Sequence, residues 1–186
     1  MTTVLDKFDI NKHYFEDPYP HVIIEDALPE DTYKKLYDTW PVSEIKKSLP
    51  IIGGHTFRYM SNDVLNKKLV PVSAEWQNFF KDHTSQDYYL KVLNIFEKHI
   101  KHIDYLKNEK VEIRGAGKSN VVTETQFVIH NPVKETTRTD HLDNPIEIYA
   151  GLLYMRKPED NAEGGDFVIY KSDPVTEVSR NNGREI

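Results

Sequence analysis

The feature that most constrains the fold is a change of hydrophobic period near residue 111. Before it, apolar residues recur at helical spacing, and after it they gather into short β-branched runs. Pro29 suits the first turn of a helix, where its missing N–H costs nothing. Tyr33, Leu36, Tyr37 and Trp40 follow at i, i+3, i+4 and i+7, and Pro41 stops the stripe. Ser73 reads as a helix cap ahead of Trp76, Phe79 and Phe80. Ser85 reads as a second cap, ahead of Tyr89, Val92, Leu93, Phe96 and Ile100. Two shorter readings lie within this half: a strand in Pro20–Asp26, and a strand or anchored loop at Phe57–Met60, beyond the Gly53-Gly54 turn.

In the second half, Val121–His130 is rich in β-branched residues and is broken by Asn131-Pro132. Ile146–Met155 predicts a strand apolar enough to be buried on both faces, and Phe167–Tyr170 predicts another, introduced by the hairpin turn at Gly164-Gly165. Helices first and strands later predict an α+β fold with an antiparallel sandwich or barrel. With no repeat, low-complexity tract or linker, the expectation is a single domain over 1–186, mainly helical through 1–110 and strand-bearing through 111–186.

Composition narrows the function classes. The chain has 186 residues, enough to bury a core, and its 11 Tyr, 8 Phe and 2 Trp can fill it. Trp40 and Trp76 sit on helical stripes and read as core rather than as a cofactor box. The absence of cysteine excludes disulfides, zinc knuckles and thiol catalysis. A net charge of -6 argues against nonspecific nucleic-acid binding, which needs basic surface. Neither a signal-like opening nor an apolar run of membrane-spanning length is visible, so no membrane partner is expected and the expected location is cytoplasmic.

The chemistry is concentrated in His141-Leu142-Asp143. On an extended backbone, side chains i and i+2 share one side, so an imidazole and a carboxylate here can converge on one ion. That makes two members of the 2-His-1-carboxylate triad, whose nitrogen and oxygen donors suit iron(II) or manganese(II). Zinc is also chemically possible. Taken alone, the tripeptide reads more readily as a surface turn in which Asp143 caps the backbone before Asn144-Pro145.

Its surroundings change that weighting. The stretch from Thr136 to Pro145, then Gly151-Leu152-Leu153-Tyr154-Met155, then Glu163-Gly164-Gly165-Asp166-Phe167, resembles the 2-oxoglutarate- and iron(II)-dependent oxygenases, in particular their prolyl-4-hydroxylase-like branch. The opening Pro18-Tyr19-Pro20-His21-Val22-Ile23-Ile24-Glu25, followed by Leu28-Pro29-Glu30, is similar as well. The resemblance implies a double-stranded β-helix (jelly roll) with N-terminal helices packed on the sheet. It implies His141 and Asp143 as the first iron ligands, with Fe(II) and 2-oxoglutarate as cofactors. The implied reaction is hydroxylation of a substrate C–H bond, on a small-molecule or peptidyl substrate that the sequence does not name. Tyr154, on the strand after the motif, is the candidate to touch the cosubstrate through its hydroxyl. Tyr149 shares that position, and both read equally well as core aromatics. No catalytic residue is assigned. Arg138 reads as a solvent-facing loop charge rather than an anion binder.

The family pattern also requires a distal histidine, followed roughly ten residues on by an arginine or lysine that pairs with the cosubstrate carboxylate. No histidine follows Tyr170, and Arg180 and Arg184 therefore receive no such role. His130 and His55 are the substitute candidates, His130 being more readily a packing residue. The expectation is a chain truncated at the C-terminus, with a natural short form as the alternative. An incomplete jelly roll leaves sheet edges open, which predicts a homo-oligomer. The rival function is a non-catalytic jelly-roll binding or interaction module without metal, and a cupin-like domain is the third reading.

Overall fold

A computed structural model describes residues 2–48, 56–69, 71–130, 143, 144, 146–155, 159, 161 and 169. The chain begins with a single helical turn, α1 (Ile10–His13), capped by the Asp9 carboxylate accepting from the Asn11 N–H. It then makes a small antiparallel ladder between β1 (Tyr14–Phe15) and β2 (His21–Val22). The strand expected over Pro20–Asp26 is cut to these two residues; the exposed Ile23 beyond it still bonds its N–H to the His13 carbonyl at 2.9 Å.

Helix α2 (Glu30–Asp38) starts after Pro29 and buries Leu36. Its last carbonyls, which no helical N–H can reach, find three separate donors. The Thr39 hydroxyl reaches Lys35 O at 2.7 Å, the Trp76 indole N–H reaches Leu36 O at 2.9 Å, and the Trp40 N–H reaches Tyr37 O at 3.2 Å. Helix α3 (Val42–Ser48) buries Ile45, and β3 (Thr56–Met60) runs directly into α4 (Ser61–Leu65).

Both serine caps form as expected. Ser73 accepts from the Trp76 N–H at 3.3 Å at the start of α5 (Ala74–His83), and Ser85 accepts from the Tyr88 N–H at 3.2 Å at the start of α6 (Gln86–Ile95). Helix α6 ends sooner than the apolar spacing predicts. Phe96 becomes its C-cap, and Ile100 reaches the core from the following turn instead. Helix α7 (Ile103–Asn108) then leads to β4 (Val111–Ile113), β5 (Val121–Thr123) and β6 (Gln126–His130).

The run Val121–His130 is two strands, not one, because its halves find different partners. β5 pairs in parallel with β4, Val111 opposite Val121, while β6 pairs antiparallel with β3, from Thr56 opposite His130 to Met60 opposite Gln126. The break at Glu124-Thr125 is closed by the buried Ser61 hydroxyl, which accepts from the Thr125 N–H at 3.1 Å. The β3–β6 ladder also binds the helical half of the chain to the strand-bearing half.

Two hydrophobic clusters result. In the larger one, Trp76 meets Phe127 edge-on at 4.7 Å and Trp40 at 5.0 Å, with Leu36, Tyr59 and Phe80 packed around them. The smaller one joins Tyr89 and Leu93 of α6 to Val111 and Val121 of the parallel pair. The molecule is α+β, built on small two-stranded sheets, with no closed barrel among the described residues.

Residues 146–155 depart most from expectation. No strand forms there, and Ile146 and Leu152 are 77% and 67% exposed. A strand needs a neighbouring ladder to satisfy its backbone, and none of the described strands pairs with this segment. Tyr149 packs on the smaller cluster and Met155 on the larger. The strand expected at Phe167–Tyr170 lies outside the described residues apart from Ile169, which is not in a strand.

Candidate functional site

Of the predicted metal pair, His141 lies outside the described residues, and Asp143 is exposed at the start of a short turn. Asn144 holds that turn: its side-chain oxygen accepts from the Ile146 N–H at 3.2 Å and its carbonyl from the Glu147 N–H at 2.8 Å. Among the described residues, no group of three or more His, Asp or Glu side chains is placed to hold a metal ion.

The two candidate tyrosines separate clearly. Tyr154 is 56% exposed, one residue ahead of the anchored Met155. Tyr149 is packed against the smaller cluster, with its hydroxyl hydrogen-bonded to the Thr123 side chain, and burial raises its pKa. Tyr88 nearby is also shifted upward by burial, with Tyr149 adding to the effect. Tyr149 thus takes the core role that the sequence left open for both tyrosines.

Of the substitute ligands, His130 ends β6 opposite Thr56 of β3. His55 directly precedes Thr56 in the chain. The His130 side chain and the whole of His55 lie outside the described residues.

Three arrangements escape the sequence reading. At the β5–β6 break, burial pushes the Glu124 carboxyl up while the Arg114 guanidinium, 3.0 Å away, works against it. On β3, burial and then the Asp63 charge push the Tyr59 hydroxyl up to about 12. At the end of α5, His83 is buried with hydrogen bonds at both ring nitrogens, and burial lowers its pKa. Only the last had a sequence signal: Trp76, Phe79, Phe80 and His83 fall on one helical stripe, which places the imidazole on the core face. An open cleft beside α1, lined by Lys12, His13, Phe15, Ile23 and Glu25, contains none of the predicted site residues.

No protein-family model, no curated protein and no solved structure matches the chain.

Proposed function

We propose that this chain carries the metal half-site of an Fe(II)- and 2-oxoglutarate-dependent oxygenase, a hydroxylase of jelly-roll descent, with His141 and Asp143 as its first ligands. The observation that carries this reading is the order His141-x-Asp143, Leu152-Leu153-Tyr154, Gly164-Gly165-Asp166. The donor chemistry fits: a neutral imidazole nitrogen and a carboxylate oxygen suit iron(II). The exposure of Asp143 is compatible with reaching an ion, and the turn beside it is closed by Asn144.

When bound, the metal with 2-oxoglutarate would supply the oxidation of a substrate C–H bond by oxygen. The chain's own part is to hold the ion through His141 and Asp143 and to offer the exposed Tyr154 hydroxyl as a donor to the cosubstrate. Among the described residues each ladder has two strands and leaves edges without a described neighbour, which supports assembly with a second copy.

One observation favours the rival reading of a metal-free interaction module: the three consecutive apolar residues Leu152, Leu153 and Tyr154 are all exposed. Titration calorimetry with manganese(II), with and without 2-oxoglutarate, separates the two. Binding that is strengthened by 2-oxoglutarate and lost in both His141→Ala and Asp143→Asn is expected. Heat that is absent, or unchanged in both variants, would sink the oxygenase reading in favour of the module.

A further inference from the structure

We propose that His83 is a pH-operated latch, holding the leading segment Thr2–Asp6 on the end of α5 and releasing it when the ring becomes a cation. The Val4 N–H lies 3.1 Å from His83 Nε2, and His83 Nδ1 lies 2.8 Å from the Phe79 carbonyl. An amide can only donate and a carbonyl can only accept, so the ring must carry its proton on Nδ1 and leave Nε2 bare. The hydrogen-bond partners thus demand the neutral imidazole. Adding a proton to Nε2 sets two donors against each other and breaks the bond to Val4.

The rest of the segment depends on the same place. The Thr2 N–H reaches Asp82 at 3.2 Å, and Thr3 is buried with its N–H and hydroxyl both on the Asp6 carboxylate. Val4 packs against the larger core cluster, and Lys7 holds the carbonyls of Asp26 and Leu28. Losing the central bond therefore loosens a path that runs from α5 to the start of α2.

The charged and titratable groups facing the ring come from three places: Asp82 on α5, Asp6 on the segment itself, and Lys91 and Tyr88 on α6. The two carboxylates favour the cation, while Lys91 opposes it. Burial opposes it most: the ring is 6% exposed and stacks on Phe79 at 3.9 Å. The outcome is a pKa below the ordinary histidine value, so the latch is closed at neutral pH and opens only once the pH falls below the ordinary histidine range.

The test is NMR on the full chain between about pH 7.5 and pH 5, following His83 ring nitrogens together with amide exchange at Val4 and at Leu93, a buried α6 reporter. Val4 protection, corrected for intrinsic exchange, should fall about tenfold or more as the ring titrates, with Leu93 unchanged. In His83→Gln, whose amide oxygen can accept from Val4 without titrating, protection should stay level. Three results would overturn the latch: a ring that titrates with Val4 unaffected, equal losses at Val4 and Leu93, or the same loss in His83→Gln. A ring that never titrates across the range would also overturn it. Should the variant fail to fold, the wild-type comparison of ring, Val4 and Leu93 decides alone.

Discussion

Trp76 shows how much one side chain can hold. Its ring joins Trp40, Phe79 and Phe127 edge-on, while its N–H helps end helix α2 by taking the Leu36 carbonyl. Trp76→Phe keeps much of the apolar contact but strands that carbonyl, and should cost about 1–3 kcal/mol in urea unfolding. His83 makes a different prediction, through pH. Its pKa is lowered by burial, so in mild acid the unfolded chain takes up a proton that the native ring resists. Its contribution to stability is present above the ordinary histidine value and declines as pH falls through it. Urea midpoints should therefore drop more steeply with acid in the wild type than in His83→Gln. The helical stripe makes the burial of both residues legible in sequence. Their hydrogen-bond partners, Leu36 and Val4, lie far off in the chain and follow no periodic signal.

At the scale of elements, local chemistry was readable wherever it was local. Ser73 and Ser85 each satisfy an N–H three residues on, and Ser→Ala at either should cost about 1 kcal/mol by thermal or urea unfolding. Ser61 is the opposite case. Its buried hydroxyl takes the Thr125 N–H, 64 residues away, at the point where Val121–His130 changes sheets. Ser61→Ala should cost about 1–3 kcal/mol by leaving that N–H without its acceptor, a loss measurable by urea unfolding. Composition marked the run as strand, yet only the two different partners explain why it divides. The same reasoning applies to Ile146–Met155, where strand-forming residues have no paired neighbour among the described strands and lie largely exposed.

For the molecule as a whole, the two-stranded ladders, whose outer edges have no neighbour among the described residues, predict self-association. Light scattering over a range of concentrations should give a mass above that of one chain and rising with concentration, and a constant monomer mass would count against it. The sequence by itself determined the α+β character, the two capped helices, the aromatic core stripe and the His141-Leu142-Asp143 motif, because each depends on residues within a few positions of one another. Tertiary structure decided that β3 pairs with β6, that Tyr149 packs on the smaller cluster while Tyr154 is exposed, and that His83 holds Val4. Those outcomes depend on which distant group arrives to satisfy a backbone donor or cover an apolar face, and no spacing along the chain encodes that arrival.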